Sequence, residues 1–208
     1  MKKIILASAS PRRHELLNLL HIEHEVIPCD EKEEKLINNK FNRKITENKK
    51  TTEEQVLSLA FHKVSCVAKT LEQMKITDGI IIGADTIVIL EGEIIGKPNS
   101  KNEAIEILEK LSGKIHEVYT GICLYEISKD KIFTGIEKTN VSMVHWSKER
   151  LEKYIEEEYI MDKAGAYAIQ GIGAAMIDRI EGCFYNVMGL PLSKLVKMLD
   201  EAGFQLIN

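Results

Sequence analysis

The sequence is short of several things, and each shortage removes a class of function. It has four cysteines in 208 residues, Cys29, Cys66, Cys123 and Cys183, with no CxxC pair among them. That spacing gives no dithiol motif and predicts four reduced thiols. His21 and His24 lie close together, but no Cys or second His pair completes a familiar zinc ligand pattern. There is no basic surplus. Lys and Arg number 28 against 32 Asp and Glu, a formal net charge of -4, which argues against a general nucleic-acid binder. No apolar run approaches the length needed to span a bilayer. The start, MKKIILASASPRR, opens with two lysines as signal peptides do. Its apolar stretch from Ile4 to Ala9 is too short for a signal sequence, and Pro11-Arg12-Arg13 follows at once. The expected setting is therefore the cytoplasm, with no membrane partner. The phosphate-cradling pattern GxxxxGK[ST] is absent, which removes a kinase of that type. No internal repeat is visible.

What remains is ordinary for a globular protein, 44% hydrophobic and 29% charged, and the length suits one domain or two tightly joined lobes. Ile4-Ile5-Leu6-Ala7 is apolar on both faces and reads as a buried strand. Ser10-Pro11 then opens a helix, with Ser10 placed to cap it and Pro11 at the first helical position. Val26-Ile27 reads as a second strand. Residues 30 to 54 are rich in Lys, Glu and Asn and read as a loop or insertion. Thr51 and Glu54 form a capping box for a helix carrying Val56, Leu57, Ala60, Val64, Val67, Ala68 and Leu71. Ile80 to Leu90 reads as a central strand, and Ser100 with Glu103 as a second capping box. Val118 to Ile127 and Ile132 to Trp146 read as two strands turning near Lys129-Asp130, Ser147 starts a helix, and another runs from about Pro191 to Ala202. Alternating strands and helices followed by a hairpin predict an α/β fold with a mixed sheet and flanking helices, residues 1–208 forming a single domain.

Five clusters carry candidate chemistry. Ser8-Ala9-Ser10-Pro11-Arg12-Arg13 lies between strand and helix, where free N–H groups and small residues suit an anion. Two arginines there work against the helix dipole; they serve either a bound phosphate chain or nearby carboxylates. Asp85, in Gly83-Ala84-Asp85-Thr86, sits inside the apolar run IIIGADTIVIL. Burying it is costly unless it is paired or metal-bound, which marks a metal ligand or general base; the alternative is a structural Asp satisfying a turn or an arginine. Lys97, in Gly96-Lys97-Pro98, can neutralise a phosphate, and Lys63 lies inside an amphipathic helix. In Asp162-Lys163-Ala164-Gly165-Ala166-Tyr167, followed by Ile169-Gln170-Gly171, small residues surround one Tyr and one Gln. The Gln170 amide offers a donor beside an acceptor, matching the edge of a uracil or thymine; the alternative is a tight structural loop. Glu31, Glu33 and Glu34 supply carboxylates of the kind Mg²⁺ takes, or a solvated face.

Taken together, ASASPRRHELL, GADTIVILEGEIIGKP, LSGKIHEVYTG, DKAGAYAIQGIGA and NVMGLPL resemble the Maf family of nucleotide pyrophosphatases, in the family's order and over nearly the whole chain. The resemblance implies cleavage of a nucleoside triphosphate between the α- and β-phosphates with release of pyrophosphate. It also implies a divalent cofactor, Mg²⁺ or Mn²⁺, a homodimer, and two lobes around a cleft similar to the inosine triphosphate pyrophosphatases. Asp85 matches the family's general base. Ser8, Arg12, Arg13, Lys63 and Lys97 match phosphate-holding positions, and Arg12, Thr86 and Gln170 match positions linked to base choice. The acidic metal partner of Asp85 falls at Glu33, or at Glu34 if one residue is inserted. The form KAGAYAIQG looks like the branch acting on dTTP and UTP, with removal of surplus or non-standard nucleotides as its role. The stretch between Glu34 and Thr51 is longer than the family's usual spacing and reads as a surface insertion or a lid. The rival readings are a regulatory nucleotide-binding protein linked to septum formation or division arrest, and a nucleic-acid-binding or division partner.

Overall fold

The computed structural model describes residues 2–30 and 51–206. The expectations for Glu31, Glu33, Glu34 and the 35–50 insertion lie outside the described residues. In chain order the elements are β1 (Ile4–Leu6), α1 (Pro11–Leu19), β2 (His24–Val26), α2 (Thr52–Gln73), β3 (Ile80–Leu90), β4 (Glu93–Ile95) and α3 (Lys101–Leu111). There follow β5 (Ile115–Glu126), β6 (Lys131–Met143), α4 (Lys148–Glu157), β7 (Ile177–Glu181), α5 (Phe184–Val187) and α6 (Leu192–Glu201). Among the described residues seven strands join in one sheet of order β2-β1-β3-β5-β6-β7, with β4 paired to β3. β1 runs parallel to β2 and β3, while β3–β4 and β6–β7 are antiparallel, so the sheet is mixed as the sequence predicts. No described helix is long and apolar enough to cross a membrane.

The chain forms two compact units, to both of which β3, β5 and β6 contribute. The first comprises Met1–Asp85, Thr120–Glu137 and Gly189–Asn208; the second comprises Thr86–Tyr119 and Lys138–Met188. In the first, β1 and the start of β3 are apolar because both faces are covered. Helix α2 covers one of them. Thr51 and Glu54 cap it reciprocally, and Val56, Ala60, Val64, Val67 and Leu71 turn inward. Ala60, Val64, Val67 and Leu71 pack against Ile5, Ala7, Ile81 and Cys123.

Two glycines set how close that helix comes. A Cβ on Gly83 would stand 2.6 Å from Val64 Cγ2 and 2.7 Å from the Ala60 carbonyl oxygen. A Cβ on Gly121, in β5, would stand 2.7 Å from the Val56 carbonyl oxygen. Helix α2 thus lies on a strip of sheet from which side chains have been removed.

In the second unit α3 begins at Ser100, whose hydroxyl accepts the Glu103 N–H. The Glu103 carboxylate does not close the expected box on Ser100. It takes the backbone N–H and side-chain amide of Asn99 at 2.7 and 3.0 Å, one residue earlier, because Asn99 offers two donors where Ser100 offers one. Those bonds hold the Glu103 carboxyl below the usual carboxylate range.

Other expectations need correction. Cys29 and Cys66 are joined in a disulfide across 37 residues, with Cα atoms 5.6 Å apart, so the chain does not carry four reduced thiols. The fold lays the chain after β2 against α2, a neighbourhood that spacing does not reveal. Cys123 and Cys183 are free, and burial pushes the Cys123 thiol up to about 12. Ser10 occupies the cap position of α1 but makes no side-chain capping bond. The unexpected elements β4, β7 and α5 span three, five and four residues, too short to show a period.

Gly83→Ala is expected to cost about 2 kcal/mol in urea unfolding, because the added methyl meets backbone as well as side chain. Gly96→Ala, with nothing within 4 Å of the added carbon, is the control and should change stability little.

Candidate active site

The first unit gathers two groups of predicted residues. Ala7 continues the sheet by donating to the Ile82 carbonyl at 2.8 Å, and the next residue, Ser8, is buried. The Ser8 hydroxyl oxygen accepts the Ser10 N–H at 3.2 Å and Arg13 Nη1 at 3.1 Å. Arg13 Nε donates to the Gly189 carbonyl at 2.8 Å. Arg13 is thus a buried brace, 7% exposed, tying the strand-to-helix turn to the chain that leads into α6. Arg12 is half-buried and makes no ion pair among the described residues, so the carboxylate alternative has no partner there. Pro11 fills the first position of α1, Ser10 does not cap it, and its first turn holds no acid. This helix end keeps outward N–H groups and a partial positive charge beside a guanidinium.

The second group is set by α2. Asp85 and Thr86 are the only positions of β3 that are not fully buried. Because Gly83 lets α2 come close, Lys63 reaches β3: its Nζ lies 2.7 Å from Asp85 Oδ1 and 3.5 Å from the Ala84 carbonyl oxygen. The side chains are 12% and 18% exposed, which leaves the pair partly desolvated but reachable. Lys63 offsets the cost of the carboxylate inside an apolar strand and orients it through Oδ1, leaving Oδ2 as the oxygen for a water or a cation.

The second unit holds Thr86, Lys97 and Gln170. Lys97 is exposed and makes no ion pair among the described residues. The residue before it, Gly96, accepts the Gly165 N–H on its carbonyl at 3.1 Å, which links the Lys97 turn to the Gly- and Ala-rich segment. In that segment Gly165 to Ile169 are buried in succession, and Gln170 is the first exposed residue after them. Ala168 N–H donates to the Tyr154 hydroxyl at 3.0 Å. Tyr167 meets His116, with His116 Nε2 2.8 Å from the phenol oxygen. A Cβ on Gly173 would fall 2.1 Å from the Ala168 carbonyl oxygen, so a glycine is required there. The segment is therefore a tight structural loop that delivers one polar side chain, Gln170, to its surface.

His116 and Tyr154 also hold this segment, a role that no local sequence pattern marks. The signal for His116 was slight: it alternates with exposed Ile115 on a strand, as any inward residue does. Burial holds the His116 imidazole down to about 4. Tyr167, fully shut in, has its phenol pushed above its usual range by burial first and by Tyr154 second.

No group of three or more His, Cys, Asp or Glu able to hold a metal occurs among the described residues. Asp85 remains a hard oxygen donor, and Mg²⁺ keeps several waters and takes one or two carboxylates together with substrate phosphates. Asp85 is the described residue whose chemistry fits such an ion and that would hold it.

The Maf-like protein family profile matches residues 3–202. The chain belongs to the Maf family. A relative from Caldicellulosiruptor bescii, named dTTP/UTP pyrophosphatase, is 43% identical over 208 residues, covering 100% of this chain and 98% of its own. Relatives of the same name from Aquifex aeolicus and Bacillus anthracis are each 43% identical over 199 and 201 residues, covering 96% and 97% of this chain and 95% and 96% of theirs. Among solved structures, a HAM1 protein from Coxiella burnetii aligns at a TM-score of 0.39 and 19% identity, over 69% of this chain and 73% of that one, too loosely to inform the fold.

Stability at low pH tests the burial of His116. Its proton affinity falls from the ordinary 6.5 to about 4 on folding, so below 6.5 the unfolded chain gains a proton that the folded chain refuses. Burial therefore costs nothing electrostatically above that pH, and stability falls by roughly 3 kcal/mol as pH drops towards about 4. Urea unfolding between these limits should show this decline in the native protein, and a smaller one by that amount in His116→Phe.

Proposed function

We infer that this Maf protein hydrolyses nucleoside triphosphates, dTTP and UTP first among them, to the monophosphate and pyrophosphate. The observation that carries the reading is similarity along the whole chain, at 43% identity, to proteins named dTTP/UTP pyrophosphatase. The residues supply chemistry of the required kind. Asp85 accepts a proton from the water that attacks the α-phosphorus, and Lys63 holds its carboxylate in place for the transfer. Arg12 and the uncapped N-terminus of α1 in the first unit, and Lys97 in the second, each carry charge of the sign that binds phosphate. Arg13 acts one step back, fixing the Ser8 hydroxyl and the turn that carries Arg12. Mg²⁺ or Mn²⁺, held by Asp85 and an acidic partner at Glu33 or Glu34, would offset charge on the leaving pyrophosphate. Thr86 and Gln170 belong to base choice. The Gln170 amide presents a donor and an acceptor side by side, which the O4 and N3–H edge of uracil and thymine complements. The cytoplasmic setting, the homodimer and the removal of surplus or non-standard nucleotides are part of this proposal.

Pyrophosphate release should be measured from dTTP, UTP, CTP, ATP, GTP and 7-methyl-GTP, with Mg²⁺ and with chelator. Metal-dependent turnover of dTTP and UTP above the rest is expected. Turnover confined to other bases would remove the role of Gln170 and keep the reaction. Tight nucleotide binding with no turnover would leave a regulatory binder.

A further inference from the structure

His116 and Tyr167 meet inside the second unit. The His116 Nε2 to Tyr167 hydroxyl distance is 2.8 Å, and the rings lie edge to face with centroids 5.4 Å apart. They are 1% and 5% exposed, so neither is available to touch a nucleotide. As a device for stability the pair is a poor choice. His116 Nδ1 is buried with no hydrogen-bond partner among the described residues, a cost that an apolar ring of similar size would not carry. What the pair supplies is direction: a hydrogen bond fixes the phenol where an apolar contact would allow several seatings.

The segment around Tyr167 needs such an anchor. Ala166 is held in the left-handed region at φ 56, a conformation that costs an alanine energy and persists only when its surroundings impose it. A Cβ on Gly165 would press on the Tyr167 ring at 3.3 Å, so the backbone folds closely around that ring. Tyr167 is the one large polar side chain between Gly165 and Ile169, the run that ends at exposed Gln170.

We propose that His116 and Tyr167 are positioning residues that hold the segment ending at Gln170 in the form that recognises a pyrimidine base, setting substrate affinity and base preference rather than the rate of bond cleavage. The proposal rests on the assignment of Gln170 to base choice. Both residues act through the backbone from Tyr167 to Gln170.

The test uses His116→Phe, Tyr167→Phe, the double variant and His116→Gln, with steady-state kinetics on dTTP and CTP and with amide hydrogen exchange of the nucleotide-free protein. Each single Phe variant is expected to raise KM for dTTP roughly tenfold and to lower the preference for dTTP over CTP, with kcat within about twofold of the parent. The double variant should be no worse than either single one, since one interaction is removed in all three. His116→Gln keeps an amide within reach of the phenol and should recover part of the loss. Exchange at Ala168 to Gln170 should rise in the Phe variants. A changed melting temperature with unchanged KM and preference would overturn the proposal, as would a fall in kcat at constant KM. If the parent cleaves neither dTTP nor UTP, the functional reading fails and exchange judges the pair: unchanged exchange at Ala168 to Gln170 overturns it and increased exchange upholds the anchor. Tyr167→Phe loses a single oxygen and keeps the ring, so a folded variant is available throughout.

Discussion

The closeness of α2 to the sheet at Gly83 is the constraint on which the Lys63–Asp85 ion pair depends. With any side chain at that position the helix must stand off from β3, because the space is already held by Val64 and by the Ala60 carbonyl. The approach places Lys63 within 2.7 Å of Asp85. Without it the carboxylate would interrupt a long apolar strand with its charge unanswered. The packing and the chemistry are therefore coupled: the same missing methyl that tightens the core makes the ion pair possible, and the ion pair makes a charged acid tolerable in β3.

The second unit works by a related economy. A loop of Gly and Ala has little side chain with which to hold itself, yet Gly165 to Ile169 are buried in succession. Its order comes from three outside contacts, the Gly96 carbonyl, the Tyr154 hydroxyl and the His116 ring. Such anchoring leaves one exposed side chain, Gln170, at the end of a buried run of backbone, the placement that the proposed base recognition needs. The hydrogen bond from Gly165 to Gly96 couples that backbone to the turn carrying Lys97.

Much of this was legible in the sequence where a local rule operates. The apolar run of β3 with an acid inside it, the capping box at Thr51 and the hairpin near Asp130 each follow from neighbours in the chain. The exceptions have a common physical origin in distance along the chain. The Cys29–Cys66 bridge, the brace from Arg13 to Gly189 and the pairing of His116 with Tyr167 join residues separated by 37, 176 and 51 positions. Arg13 shows the difference most clearly. Beside Arg12 it reads as a second phosphate ligand; folded, it is turned inward onto the Gly189 carbonyl and the Ser8 hydroxyl, while Arg12 stays half-buried and makes no ion pair among the described residues. Gly83 was visible as part of a motif, but its reason, the backbone of α2 pressed against it, was not.

In the proposed function Asp85 is the base of a pyrophosphate-releasing reaction and not a structural acid balanced by Lys63. Single-turnover pyrophosphate release from dTTP by Asp85→Asn, with saturating Mg²⁺, tests it most directly. The substitution keeps the shape of the side chain and removes its capacity to take a proton. A loss of about 10³-fold in the rate of the chemical step, in a protein that unfolds near the parent's melting temperature, is the predicted result. A folded variant that releases pyrophosphate within about tenfold of the parent rate would make Asp85 a structural acid, since a general base contributes more than that.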